Sequence, residues 1–538
     1  MNRREFLQTS AWLGATVPLG GWTAGCVGAS GAAAGDLTDA TVASLRQGLT
    51  QGRYSAVELV RFYQDRIQRW DQNGPQLRSV IELNPDAVEL ARALDRERRQ
   101  QGPRGPLHGI PVLLKDNIDT HDRMQTTAGS WALAGVPAAR DAFLVERLRA
   151  AGCVVLGKTN LSEWANFRGS RSSSGWSGRG GQTRNPYFTD HNPSGSSSGS
   201  AVAVSANFCA VAVGTETDGS IVSPSSYCGI VGLKPTVGLI SRRGVIPISA
   251  SQDTAGPMGR CVADVAALLG ALTGEDAEDP ATAAVASAAR NRRDYTEFLD
   301  AEGLRGARLG VLRSDFNVHR LADPVFASTL DSLRQAGAEL IDPVTLPSFE
   351  GVGHAEYTVL HYEFKAGLNA YLASRGATAK IHSLAELIEF NERERARELP
   401  FFGHETLIQA QAKGGLEEAT YREAKARCAR WRTELGAFFA AQRLDALVVP
   451  TAGPADTLDP VNGDHGHGGS SSYAAVAGFP NITVPCGAVW GLPVGLSFIG
   501  PAWQEGELIR VAYAFEQRTH ARRTPRMAPR LPANTAAV

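Results

Sequence analysis

The residues best equipped for chemistry in this 538-residue chain crowd into one stretch, 192–236. It opens Asn192-Pro193-Ser194-Gly195-Ser196-Ser197-Ser198-Gly199-Ser200. After an apolar run over 201–213 it continues Gly214-Thr215-Glu216-Thr217-Asp218-Gly219-Ser220. Three readings suit such a stretch. A flexible Gly/Ser linker would lead to another boundary, yet an apolar, helix-like run follows. A phosphate-binding loop would end in Gly-Lys-Ser or Gly-Lys-Thr, which is missing. The third reading is a tight, glycine-permitted loop that displays serine hydroxyls and main-chain N–H groups beside a reactive centre. The chemistry open to it is attack by a hydroxyl, with developing negative charge held by N–H donors.

The elements that must carry this loop alternate. Ser55-Ala56-Val57-Glu58 is a capping box that opens an amphipathic helix through Val60, Phe62 and Ile67. A second helical run covers about 86–100. Strand-like segments recur at 110–114, 154–157, 308–312, 446–449, 482–485 and 494–499, and 335–346 reads as a helix end, a turn and a short strand. Alternation of this kind predicts an α/β protein with a mixed, largely buried sheet. The stretch 349–428 is helix-rich and charged, with little strand character. It reads as a helical insertion on the rim of the sheet, where insertions often shape an entrance.

Net charge is −1 at pH 7 and the sequence pI is about 6.8. The clustered basic excess of a nucleic-acid binder is missing, so a small neutral substrate fits better than a polyanion. None of the seven cysteines sits in a CxxC pair, which weakens a zinc reading. The first 35 residues read as an address. Arg3-Arg4 precedes a weakly apolar stretch over 11–25 that is too short and too rich in Gly and Pro to span a membrane, the pattern of a twin-arginine export signal. Thr23-Ala24-Gly25-Cys26 is similar to a lipobox, so the expectation is an exported, periplasmic protein with a lipid anchor at Cys26. Threonine stands where leucine is commonest, which leaves cleavage further on, up to Gly35, as the alternative.

The serine-rich stretch does not stand alone. Leu107-His108-Gly109-Ile110-Pro111-Val112-Leu113-Leu114-Lys115-Asp116-Asn117 lies upstream, and Cys228-Gly229-Ile230-Val231-Gly232-Leu233-Lys234-Pro235-Thr236 follows. Ser251-Gln252-Asp253-Thr254-Ala255-Gly256-Pro257-Met258 and the late blocks 478–487 and 491–495 complete the set. In order and spacing these blocks resemble the amidase signature family, over about 37–523. The resemblance implies an α/β/α sandwich around a large mixed sheet. It implies Ser220 as nucleophile, Ser196 as a proton relay preceded by a cis peptide, and Lys115 as general base. It also implies an oxyanion hole from the N–H groups of Thr217, Asp218 and Gly219 with Ser220 itself. The chemistry is consistent: a serine hydroxyl needs a base, and a lysine serves only where burial holds it neutral. No cofactor, metal or obligate protein partner is implied.

Against the common family pattern, Glu216 replaces an aspartate, Asp218 a glycine, and Ser194 and Ser198 replace glycines. Thr-Glu-Thr-Asp-Gly-Ser followed by Ser251-Gln-Asp-Thr looks most like the bacterial peptide amidases, which remove ammonia from the C-terminal carboxamide of peptides. The expected substrate is therefore a peptide amide, with Asp218 contacting the amide nitrogen. A broader aliphatic, aryl or fatty-acyl amidase and a non-catalytic surface lipoprotein are the alternatives. A role in charging transfer RNA, known for another branch, does not suit an exported chain without basic excess. Asp464-His465-Gly466-His467 has ligand types but no third spaced histidine or cysteine, so a solvated loop is the preferred reading. Tyr357, His361 and Tyr362 fall at helical spacing and are candidates to line the pocket, with core packing or surface placement the preferred reading for each taken singly.

Overall fold

The structure, a computed structural model, describes residues 37–286, 292–466 and 468–532. The export signal, the lipobox at Cys26, the periplasmic location they imply, and His467 fall outside the described residues. Among the described residues, no helix is long and apolar enough to cross a membrane.

In chain order the first strands are β1 (Val80–Leu83), β2 (Pro111–Lys115) and β3 (Val154–Thr159). A small ribbon, β4 (Trp176–Ser177) and β5 (Gly181–Gln182), stands apart. Then come β6 (Val211–Glu216), β7 (Val231–Lys234) and β8 (Thr254–Gly259). The last are β9 (Arg308–Val311), β10 (Glu339–Ile341), β11 (Ala446–Pro450), β12 (Asn481–Val489) and β13 (Leu492–Ile499). Eleven of them form one mixed sheet in the order β1-β3-β2-β6-β8-β7-β12-β13-β11-β9-β10. β2 runs parallel to both β3 and β6, whereas β6 to β11 are joined by antiparallel pairings. Every residue of β2, β3, β6, β7, β8, β11 and β13 is buried. A strand buried throughout is covered on both faces, which is why the segments 110–114, 154–157 and 446–449 read as apolar runs. The fold is the α/β/α type expected.

The capping box forms as read: Ser55 Oγ accepts from the Glu58 N–H, and the Ser55 N–H donates to Glu58 Oε2 at 2.7 Å. The apolar run over 201–213 is not one helix. It divides into a buried helix, Ser198–Ser205, and β6, separated by a turn in which Asn207 takes φ 61°. Burial on all sides removes the polar positions that would have marked the change of period. Strand β8 escaped the sequence reading because two glycines and a proline interrupt it.

The charged region carries the helices Val352–Ser374, Leu384–Arg393, Arg395–Glu398, Glu405–Gln411 and Ala419–Gln442. The last continues beyond Cys428, burying Trp431, Leu435 and Phe439 against Val476 and Phe479. A buried cation ties these helices to the sheet domain. Arg168 donates to Glu163 Oε1 at 2.5 Å and to the Glu398 carbonyl, and its guanidinium lies between the rings of Trp176 and Phe402. Glu398 Oε1 in turn accepts from the Trp131 N–H at 2.8 Å. Removing the arginine leaves two buried carboxyls without their cation. Arg168→Leu is expected to destabilise the fold by about 3–5 kcal/mol, measured by denaturant titration.

Candidate active site

Lys115 closes β2, and the buried strand carries its side chain to full burial. Its Nζ lies within hydrogen-bond distance of Ser196 Oγ at 2.8 Å, Thr215 Oγ1 at 2.9 Å, Ser197 Oγ at 3.1 Å and the Thr215 carbonyl at 3.2 Å. Burial brings its pKa down to about 7, opposed by the negative charges of Glu216 and Asp253. Lys158 and Lys234 are buried too, but their amines go elsewhere: Lys158 to the Ile118 carbonyl and Thr126 Oγ1, Lys234 to the Phe479 and Pro235 carbonyls. Only Lys115 meets the serine loop.

That loop is pinned from several sides. The peptide bond Gly195-Ser196 is cis. The Ser162 N–H donates to the Ser196 carbonyl at 3.1 Å, and Ser198 Oγ donates to the Ser194 carbonyl at 2.6 Å. A Cβ on Gly195 would lie 2.2 Å from Ser162 Oγ, so no larger residue fits there. The Ser197 N–H donates to the Ser220 carbonyl at 3.1 Å, locking the serine loop to the turn that follows β6.

Ser220 sits on that turn, buried, just before the helix Val222–Tyr227. Gly219 precedes it at φ 79°, and a Cβ there would meet Ser471 Oγ at 2.9 Å. Glu216 shapes the turn: its Oε2 accepts from the N–H groups of Ile221 at 2.7 Å and Val222 at 3.1 Å. Burial pushes the Glu216 pKa up, and the Lys234 charge restrains the rise. The longer side chain that departs from the family aspartate thus holds the helix start that carries Ser220. Among the described residues, the N–H groups of Thr217, Asp218, Gly219 and Ser220 donate to no protein acceptor. Four free donors in succession around a hydroxyl form a ready anion cradle.

The sequence reading missed the groups behind this turn. Asp253 accepts from Thr217 Oγ1 at 2.6 Å and from the N–H groups of Ile248 and Ser249 at 2.8 Å each. Gln252 Nε2 donates to the Thr217 carbonyl at 3.2 Å and to Glu356 Oε1 at 2.8 Å. Ser472 Oγ donates to Asp218 Oδ2 at 2.5 Å. The block 251–258 was legible as a motif, but its link to the Ser220 turn was not, because Thr217 and Glu356 lie more than 30 residues away. Glu356 carried no signal beyond its place one residue before Tyr357.

Tyr357 and His361 share a helix face and pack edge-on at 4.3 Å, both against Phe167. Tyr362 turns away, stacks on Tyr421 and donates to Glu418 Oε2 at 2.5 Å. Asp464 is engaged by the Ser174 N–H and by Asn192 Nδ2 at 2.6 Å, an anchor for the start of the serine loop. His465 faces Asp459 at 3.2 Å instead. Among the described residues, no group of three side chains is placed to hold a metal ion.

The model of the family described as Amidase matches residues 58–509. The chain belongs to the amidase family. This amidase is 41% identical over 501 residues to a probable amidase of Arabidopsis thaliana, covering 91% of this chain and 92% of the relative. Its structure superposes on that of the native peptide amidase from Stenotrophomonas maltophilia with a TM-score of 0.86 and 54% identity, covering 90% of this chain and 98% of that one. It also superposes on an amidase family protein from Bacillus anthracis with a TM-score of 0.83 and 38% identity, covering 92% of this chain and 93% of that one. The enzyme is a hydrolase of amide C–N bonds. In carbon-13 NMR of the amidase labelled at lysine Cε, one resonance should titrate with a midpoint at about 7 and vanish in Lys115→Met.

Proposed function

We propose that this amidase removes the C-terminal carboxamide of peptides, giving peptide acid and ammonia, through a Ser220–Ser196–Lys115 relay. The observation that carries the relay is the fully buried Lys115 amine, 2.8 Å from Ser196 Oγ. The neutral amine takes the Ser196 proton as Ser196 Oγ takes the proton of Ser220. Ser220 Oγ, which has no hydrogen bond of its own among the described residues, then attacks the carboxamide carbon. Its link to Ser196 closes when substrate is bound, as catalytic hydrogen bonds commonly do. The N–H groups over 217–220 receive the oxyanion, and one such donor is typically worth about a hundredfold in rate. Ser196 returns a proton to the leaving nitrogen, the C–N bond breaks and ammonia departs. Water then cleaves the Ser220 ester by the same proton path in reverse.

The peptide-amide assignment is supported by the 54% identity to a peptide amidase over nearly the whole of that chain. Asp218 supports it chemically, since a carboxylate beside the oxyanion loop accepts an N–H and repels an acid. The N-terminal Arg3-Arg4 supports action outside the cytoplasm, and changing both to lysine should strand the enzyme in the cytosolic fraction of a bacterial host.

The test is ammonia release from an N-blocked dipeptide amide. Wild type should release it, and Ser220→Ala and Lys115→Met should lower kcat/KM by about a thousandfold or more. Absence of release from folded wild type would overturn the peptide-amide reading. The base works in its neutral form, so kcat/KM should rise with pH through about 7.

A further inference from the structure

Two carboxyl groups meet at the oxyanion loop. Asp218 Oδ2 is satisfied by Ser472, but its Oδ1 is shut from solvent and receives no N–H or O–H donor. The carboxyl of Glu356, in the first turns of the helix Val352–Ser374, reaches the same turn through Gln252, whose Nε2 donates both to it and to the Thr217 carbonyl. Glu356 is only 6% exposed, and its Oε1 is held by Gln252 Nε2. The same helix is fastened to the loop before β8 by Glu363, which accepts from Ser249 Oγ, the Ser251 N–H and Ser251 Oγ at 2.6–2.8 Å. The helix that carries Glu356 and the loop that carries Gln252 are therefore tied together at two points.

A buried carboxyl and a carboxylate oxygen shut from solvent repel strongly when both groups are anions, so such a pair keeps one proton. Placed on Glu356, that proton supplies the donor that Asp218 Oδ1 lacks. Burial and the Asp218 charge together push the Glu356 pKa up to about 9, so the acid form persists at neutral pH. Asp218 is then oriented by Ser472 on one oxygen and Glu356 on the other. A carboxylate fixed this way keeps a second lone pair on Oδ2 to accept an N–H from a terminal –NH2. It meets only lone pairs on an ester oxygen, and it repels the carboxylate of a product acid.

We propose that Glu356 is a positioning residue for substrate selection: by donating to Asp218 Oδ1 it sets that carboxylate to read the –NH2 of a primary carboxamide, favouring amides over esters. The proposal rests on the peptide-amide reading above.

The experiment compares kcat/KM for an N-blocked dipeptide amide and the methyl ester of the same dipeptide. Glu356→Leu, which removes the donor, should lower amide turnover about 10- to 100-fold while changing ester turnover by less than about threefold. Glu356→Gln keeps an N–H donor and should retain amide turnover within about threefold. Equal losses on both substrates in Glu356→Leu, or a loss in Glu356→Gln as large as in Glu356→Leu, would overturn the proposal. Infrared difference spectra of wild type minus Glu356→Gln at mildly alkaline pH supply a readout free of turnover. A protonated-carboxyl band is expected, and its absence would overturn the shared proton. Wild type inactive on peptide amides would instead fail the substrate reading, and the infrared result would still decide the carboxyl pair.

Discussion

The removal of one lysine amine from water organises this active site. An ammonium placed at full burial is held there only at a cost of several kcal/mol in an apolar interior, and the cheaper state is the neutral amine. Strand β2 imposes that burial on Lys115 because both of its neighbours are parallel, fully buried strands. The amine then finds hydroxyls rather than carboxylates as its nearest partners, from Ser196, Ser197 and Thr215. Glu216 and Asp253 act on it through space and hold the pKa near neutrality, where a base is most useful.

Everything around the amine is arranged to keep two loops in register with it. The serine loop and the Ser220 turn are joined by the hydrogen bond from Ser197 to the Ser220 carbonyl. Each is also fastened to the body of the protein: Asn192 to Asp464, Thr217 to Asp253, and the first N–H groups after Ser220 to Glu216. These bonds explain how main-chain donors can be left free over 217–220 without the turn collapsing to satisfy them.

The helices over 352–442 complete the site from outside the sheet. Arg168 secures one end of the block to the loop after β3, and Glu363 secures the long helix to the loop that bears Gln252 and Asp253. The result is that Glu356 is held by Gln252 at the turn before Ser220, while Tyr357 and His361 pack on Phe167. The serines, the lysine and the free main-chain donors sit on the strands and their loops, while the added helices bring the groups that surround them from outside.

Much of this was readable in the chain itself. The apolar runs determined buried strands at β2, β3 and β13, the capping box determined a helix start at Ser55, and the ordered motifs determined the family and singled out the trio Lys115, Ser196 and Ser220. Those features depend on neighbours in sequence or on blocks in fixed order, so one dimension suffices. Only the tertiary structure decided where the helix Ser198–Ser205 stops and β6 begins, because burial on every side erases the polar positions that mark a period. It likewise decided what lies opposite each buried lysine, with serine hydroxyls at Lys115 and main-chain carbonyls at Lys158 and Lys234. It also decided that Glu356 faces Asp218 across 138 residues of chain. A carboxyl's role is set by the groups packed around it, and those are chosen by the fold rather than by the sequence on either side.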